Sequence, residues 1–87
     1  MWIVYVLQHS EDGQLYVGIT NNLKRRVSEH NKKRQSATRR NNGQWQLVYA
    51  EAYRAKQDAT HREKMLKHHG SAKRKLVDRL SHSLLAN

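Results

Sequence analysis

The sequence contains no cysteine among its 87 residues. Neither disulfide bonds nor a thiolate-rich metal site can therefore stabilise the fold. Long apolar runs are also missing: the longest, Trp2 to Leu7, is far too short to span a bilayer, and no basic segment precedes it as in a secretory signal peptide. Two separate cores would be too small to fold without such support, so we expect one domain over residues 1–87, soluble and cytoplasmic.

Acidic residues are scarce. Seven Asp and Glu stand against 17 Lys and Arg, which gives a formal net charge of +10 at pH 7, and the apolar share is 37%. That share is low but compatible with a folded core. A chain of this charge binds polyanions by counterion release, and nucleic acid is the commonest polyanion in a cell. A solvated basic surface, or a small ribosome-associated factor, would explain the same composition.

Local patterns predict three strands and three helices. Residues 2–8, 14–19 and 45–53 have strand composition, and in the last of these Trp45, Leu47 and Tyr49 alternate with the intervening residues. Leu23, Val27 and His30 recur at helical spacing and predict the first helix. A second helix is predicted over residues 55–69, with Gly70 as its C-cap, and a third over residues 71–85. Residues 31–44 are polar and basic without periodicity and are predicted to form a loop. The order ββαβαα predicts an α/β (α+β) fold, in which helices pack on one sheet.

The first two strands bring two tyrosines together. A hairpin centred between Ser10 and Glu11 would pair Tyr5 with Tyr16 and would place Gly18 on the same face. Ordinary aromatic pairing in a core explains the two tyrosines without any function. A glycine on that face would allow a ligand or another backbone to approach closely.

Three polar side chains stand on or beside apolar helix faces. Arg26 lies one turn from His30, and an arginine turned toward the sheet needs an anionic partner such as a phosphate. His30 is either a structural histidine or a proton-transfer group. Glu63 interrupts an apolar stripe on the second helix, so it is expected to form a salt bridge, for example to Arg26, or to bind a cation.

The other basic residues are candidate contacts to a phosphate backbone, with a solvated basic surface as the alternative. Four lie near Arg26, two lie later in the predicted loop, and one lies at the start of the third helix. They are Lys24, Arg25, Lys32, Lys33, Arg39, Arg40 and Lys73.

Two short motifs and three separate residues resemble those of the GIY-YIG endonuclease domain family: Ile3-Val4-Tyr5, Tyr16-Val17-Gly18, Arg26, His30 and Glu63. The sequence is most similar to the small stand-alone, UPF0213-like members, in which Tyr-x-Gly-Ile-Thr precedes a helix carrying Arg-Arg and then Glu-His-Asn. The resemblance covers nearly the whole chain, and the combined order and spacing of its parts are specific.

The resemblance implies a small three-stranded antiparallel sheet flanked by helices, and metal-dependent hydrolysis of phosphodiester bonds in DNA. It implies that Tyr16 is the lead candidate for the base that deprotonates water, with His30 as the alternative or as an assisting group. Tyr5 would line the site and position water or phosphate. Arg26 would neutralise the scissile phosphate, and Glu63 would hold a single Mg²⁺ (or Mn²⁺).

The sequence departs from the family pattern at three points. Ile3 replaces the glycine of the first motif, Ile19 stands where some nucleases carry a basic residue, and a late asparagine has no clear counterpart. A non-catalytic nucleic-acid-binding module that retains the fold is therefore the alternative to an enzyme. Since no specificity domain is appended, we expect structure- or damage-directed cleavage, in DNA repair or processing, with little sequence specificity.

Overall fold

Three strands form one antiparallel sheet whose central strand is the β-branched and aromatic N-terminal segment. The computed structural model describes residues 1–37 and 43–84. In chain order its elements are β1 (Trp2–His9), β2 (Leu15–Thr20), α1 (Leu23–Ala37), β3 (Trp45–Tyr53), α2 (Lys56–His68) and α3 (Gly70–Arg79). The strand order is β2-β1-β3, and both pairings are antiparallel. The predicted order ββαβαα and the α+β class are confirmed.

One face of the sheet carries the apolar core. Alternate residues of a strand point to opposite faces, so Val4 and Val6 of β1 share a face with Val17 of β2. This core face packs against α2 and α3 through Ala59, Leu66 and Leu76, all buried. Burial of these side chains holds the two C-terminal helices to the sheet.

The opposite face, here the site face, carries Tyr5 and Leu7 of β1 and Tyr16 and Gly18 of β2. Helix α1 lies beside this face. The side chain of Asn22 caps the helix, because its Oδ1 accepts a hydrogen bond of 3.1 Å from the backbone N–H of Arg25. The structure therefore separates the core from the site face by the thickness of the sheet.

The hairpin register differs from the prediction. Tyr5 pairs with Gly18 and Leu7 pairs with Tyr16, so the predicted pairing of Tyr5 with Tyr16 is wrong by two residues. The cause is Gly13, which adopts a φ of 74° and donates its backbone N–H to the carbonyl of His9. A shift of two leaves every side chain on its face, so the predicted sharing of one face by the two tyrosines is confirmed.

Strand β3 contains a bulge that breaks its predicted alternation. Val6 pairs with Tyr49 and Leu7 pairs with Leu47, which leaves Val48 as the extra residue. Tyr49 consequently lies on the core face. Trp45 remains on the site face, opposite His9.

Helix α1 is longer than predicted, because residues 31–37, assigned to a loop, continue it to Ala37. The segment is rich in Lys, Arg and Gln, which favour helices without any apolar periodicity. Lys33 therefore lies in a helix. Arg39 and Arg40 lie outside the described residues.

The boundary between α2 and α3 also differs from the prediction. Gly70 does not cap α2; it is the first residue of α3, and the extended residue His69 joins the two helices. An extended linker with φ of −117° turns the chain without a left-handed glycine. Helix α3 ends at Arg79, before the predicted end at Leu85, and Leu80 donates its N–H to the carbonyls of Leu76 and Val77. No helix within residues 1–37 and 43–84 is long and apolar enough to cross a membrane.

Candidate active site

Three ring side chains that are distant in sequence meet on the site face. The Tyr5 hydroxyl lies 3.1 Å from Nε2 of His30. The rings of Tyr5 and Tyr16 are stacked, with 6.2 Å between their centroids, and the His30 ring stands edge-on to Tyr16 at 4.5 Å. Strands β1 and β2 therefore place both phenols beside one histidine of α1.

Gly18 makes this arrangement possible. It pairs with Tyr5 across the hairpin, and a Cβ at this position would lie 2.5 Å from Cζ of Tyr5 and 3.0 Å from Cε1 of Tyr16. Both distances are well below van der Waals contact. The space that the missing side chain provides, which the sequence suggested for a ligand or a backbone, is filled by the Tyr5 phenol.

Arg26 connects the phenols to α1. Its Nε donates to the Tyr5 hydroxyl at 3.4 Å, and its Nη1 donates to Oε1 of Glu29 at 3.2 Å. These hydrogen bonds, the one to Tyr5 first, raise the pKa of Arg26, so the guanidinium stays charged. Its side chain is 32% exposed and is therefore accessible to an anion.

Tyr5 is neutral at physiological pH. It is only 1% exposed, and burial raises its pKa even though the hydrogen bond from Arg26 acts in the opposite direction. A phenol that keeps its proton can donate it to Nε2 of His30, which places the imidazole proton on Nδ1. Tyr5 is thus suited to orienting groups. Tyr16 is partly exposed and better placed to meet a substrate.

Glu63 of α2 belongs to the same cluster. Its carboxylate adds to burial in raising the pKa of Tyr5, so the two groups lie within electrostatic reach of each other. The Glu63 side chain is 17% exposed and forms an ion pair of 3.4 Å with Nζ of Lys67, which lies 5.8 Å from the centroid of the Tyr16 ring. Arg26 pairs instead with Glu29, so the salt bridge considered between Arg26 and Glu63 is not formed.

The carboxylate donors near the phenols are few. Within the described part of the chain, no three His, Asp or Glu side chains converge as ligands. A hard divalent ion such as Mg²⁺ keeps most of its waters and is held by one or two carboxylates. Glu63, with the phenols beside it, fits that mode of binding once its ion pair with Lys67 opens.

Two residues that sequence reasoning missed hold His30 in place. The Asn31 amide donates from Nδ2 to the Trp45 carbonyl at 3.2 Å, and its Oδ1 accepts from the Trp45 N–H at 2.8 Å. The Trp45 ring lies 6.2 Å from Tyr16 and 6.4 Å from His30, between centroids. The available signal was the position of Asn31, directly after His30.

The candidate phosphate contacts fall into separate groups. Lys24 and Arg25 are exposed in the first turn of α1, next to Arg26, and Lys32 is exposed further along that helix. Lys73 is exposed on α3, which packs on the core face. The residues on α1 are thus near the site, whereas Lys73 lies on the other side of the sheet.

The sequence matches a known protein family. The profile described as the GIY-YIG catalytic domain matches residues 1–76. A UPF0213 protein from Desulfotalea psychrophila is 42% identical over 67 residues, which span 76% of this chain and 60% of that protein. A UPF0213 protein from Streptococcus agalactiae is 39% identical over 64 residues, 74% of this chain and 72% of the relative.

A solved structure has the same fold. The solution NMR structure of a UPF0213 protein from Bacillus halodurans matches with a TM-score of 0.55 and 30% identity, over 92% of this chain and 85% of that one. The profile match includes Tyr5, Tyr16, Arg26, His30 and Glu63.

Proposed function

Because the chain belongs to the GIY-YIG family of nuclease-type catalytic domains, we propose that it is a metal-dependent endonuclease that hydrolyses phosphodiester bonds in DNA. The observation that carries this proposal is the convergence of Tyr5, Tyr16 and His30 with the Arg26 guanidinium and the Glu63 carboxylate. We further propose that it acts in the cytoplasm on branched or damaged DNA, in repair or processing, with little sequence specificity.

Arg26 neutralises the scissile phosphate. A planar guanidinium donates to two phosphate oxygens, and its stabilisation grows as negative charge builds in the transition state. Its hydrogen bonds to Tyr5 and Glu29 hold it in position. The exposed Lys24 and Arg25 in the same turn hold the flanking backbone.

Tyr16 is the proposed base. To act so, it first gives its phenolic proton to solvent, and the phenolate then takes a proton from the attacking water. The oxygen of that water forms the new bond to phosphorus while the bond to the leaving oxygen breaks, and the leaving oxygen takes a proton from solvent. Nζ of Lys67 lies 5.8 Å from the centroid of the Tyr16 ring, so a cation stands beside the proposed base. His30 and Tyr5 orient the group. A Mg²⁺ or Mn²⁺ ion held by Glu63 would supply Lewis-acid stabilisation of the phosphate charge.

Cleavage assays test the proposal. The purified protein should nick supercoiled plasmid and cut branched oligonucleotides with Mg²⁺ or Mn²⁺, and EDTA should stop both reactions. Arg26→Ala and Glu63→Ala should each reduce the rate by about 100-fold or more. Binding should persist in both variants, because other basic residues supply most of the affinity.

A matched control separates these effects from a simple loss of charge. Arg74→Ala removes one exposed cation from α3 and should cut at the parental rate. If Arg26→Ala and Glu63→Ala also cut at that rate, the assigned roles are wrong and a contaminating nuclease explains the products.

A non-catalytic nucleic-acid-binding module is the second candidate. The observation in its favour is that both key charges already have partners on their own helices, Arg26 with Glu29 and Glu63 with Lys67. Such a module would bind nucleic acid with a steep salt dependence and would yield no product with any metal.

A further inference from the structure

A basic cleft lies between α2 and α3, away from the tyrosine cluster. Its volume is about 420 Å³. Three cationic side chains line it, Arg62, Lys75 and Arg79, and its floor is apolar, formed by Met65 and Leu76. Within the part of the chain that the structure describes, no carboxylate lines it.

The cleft and the candidate active site occupy different flanks of α2. Glu63 and Lys67 stand one turn apart and face the phenols. Arg62 precedes Glu63 by one residue, so its side chain is rotated by about 100° around the helix, toward α3. Helix α2 is therefore bordered by cations on both sides.

The cations of the cleft differ in how they are held. Glu51 of β3 fixes Arg62, because its Oε1 accepts a hydrogen bond of 2.7 Å from Nε of Arg62, and the two side chains are 19% and 28% exposed. Lys75 and Arg79 are exposed, and within residues 1–37 and 43–84 neither has a carboxylate at ion-pair distance. One positioned guanidinium beside two exposed cations suits a phosphodiester anion.

We propose that this cleft binds a backbone phosphate of a second nucleic-acid strand while the scissile phosphate of the first occupies the site at Arg26. This inference rests on the proposed function. Helix α2 separates the cleft from Glu63 and Lys67, which face the phenols. The phosphate in the cleft would therefore belong either to the second strand of the duplex or to a second arm of a branched molecule.

The test compares two neighbouring positions on α3. Lys75→Glu reverses a charge that lines the cleft, and Arg74→Glu reverses an equally exposed charge that does not line it. Fluorescence anisotropy with EDTA measures binding without cleavage, on a linear duplex and on a three-way junction, at several salt concentrations. Circular dichroism verifies that both variants fold.

We expect Lys75→Glu to weaken binding about tenfold or more and to reduce the slope of log K against log salt by about one. Arg74→Glu should leave the slope unchanged. Weakening on both DNAs identifies the second strand of a duplex as the source of the phosphate, and weakening on the junction alone identifies a second arm.

If Lys75→Glu and Arg74→Glu weaken binding equally on both DNAs, the cleft is not a phosphate site, and the proposed function is unaffected. Absence of any nucleic-acid binding by the unaltered protein overturns both. The cleavage rate of Arg26→Ala tests the catalytic site alone, because this variant should still bind DNA. The proposed function and the proposed phosphate site in the cleft are therefore tested by different experiments.

Discussion

The hydroxyl of Tyr5 lies 3.1 Å from Nε2 of His30, although 25 positions separate the two residues. This hydrogen bond joins the central strand of the sheet to α1. Burial raises the pKa of the Tyr5 phenol and so keeps its proton available for the bond. Arg26 donates to the same oxygen, so a single buried hydroxyl positions both a histidine and a guanidinium.

Tyr5→Phe tests this role. The variant keeps the ring in the sheet but removes the acceptor of Arg26 and the hydrogen-bond partner of His30. We expect a loss of about 1 kcal/mol of unfolding free energy and a cleavage rate about 100-fold lower, since both partners lose their orientation. Plasmid nicking measures the rate, and ¹⁵N NMR of the imidazole should show a shifted tautomer balance.

Tyr53→Phe is the control for the loss of a phenolic hydroxyl. Tyr53 donates to Glu51 on the core face, so its removal should lower stability without changing the cleavage rate. An unchanged rate and an unchanged imidazole spectrum in Tyr5→Phe would contradict the positioning role of Tyr5.

Gly18→Ala tests why the motif glycine is needed. The new methyl group would overlap the Tyr5 phenol, which must then move away from His30. We expect a loss of about 1–3 kcal/mol in unfolding free energy from overpacking, together with loss of cleavage. Chemical denaturation and plasmid nicking measure the two effects.

Gly70→Ala provides the matched control, because a Cβ at Gly70 meets no atom within 4 Å. This position begins α3, where alanine favours the helix, so we expect a neutral or slightly stabilising effect of up to about 1 kcal/mol. Equal stability of the two variants would show that Gly18 is not constrained by Tyr5.

Much of the site could be predicted because its parts depend on local periodicity. The face that a strand residue occupies is unchanged by a register shift of two, so Tyr5 and Tyr16 were correctly placed together although their pairing was wrong. Helical spacing likewise placed Arg26 near His30. A turn between β1 and β2 was predicted, but its centre, which sets the register, depends on the backbone conformation of Gly13 and lies one residue later than predicted.

Other features of the fold and the site depend on contacts between residues that are far apart in the sequence, which no periodic pattern indicates. The second half of α1 is polar, and its anchoring to β3 comes from Asn31, whose partners are backbone atoms of Trp45. The bulge at Val48 changes the face of Tyr49 and arises from pairing between distant strands. By contrast, the pairing of Glu63 with Lys67, and not with Arg26, is an i,i+4 contact that helical spacing could have indicated.

Asn31→Ala tests the link between α1 and β3. The substitution leaves the N–H and carbonyl of Trp45 without their side-chain partner, and we expect a cost of about 1–3 kcal/mol in unfolding free energy. His30 should lose its fixed position, so the cleavage rate should fall by more than the smaller fraction of folded protein explains. Thermal unfolding and single-turnover rates at a temperature where the variant is folded separate the two effects.

Asn31→Asp refines the test. The carboxylate still accepts from the Trp45 N–H but cannot donate to its carbonyl, so stability and rate should both fall between those of the parent and of Asn31→Ala. If Asn31→Ala retains the parental rate once folded, Asn31 supports only the fold.

Lys67→Met tests competition for Glu63. The ammonium of Lys67 lies 3.4 Å from the Glu63 carboxylate, so it would compete with a divalent ion for that carboxylate. Removing this charge should lower the Mn²⁺ concentration required for half-maximal binding, measured by electron paramagnetic resonance without DNA. Lys64→Met removes a charge from the same helix away from this pair and should leave Mn²⁺ binding unchanged; equal Mn²⁺ affinity in both variants would contradict the competition.

Acid stability tests Glu51, the partly buried carboxylate of β3. Burial alone would raise the pKa of Glu51, but the hydrogen bonds from Tyr49, Tyr53 and Arg62 outweigh it and lower that pKa below its usual value. The stability that Glu51 contributes is therefore present above the pKa of the unfolded chain and is lost as pH falls through the lower folded value. At pH 7, Glu51→Gln should cost about 2 kcal/mol of unfolding free energy, and this deficit should shrink between about pH 5 and pH 3. Urea denaturation across that range measures it, with the exposed Glu11→Gln as control; a deficit that stays constant with pH would mean that the charge of Glu51 does not stabilise the fold.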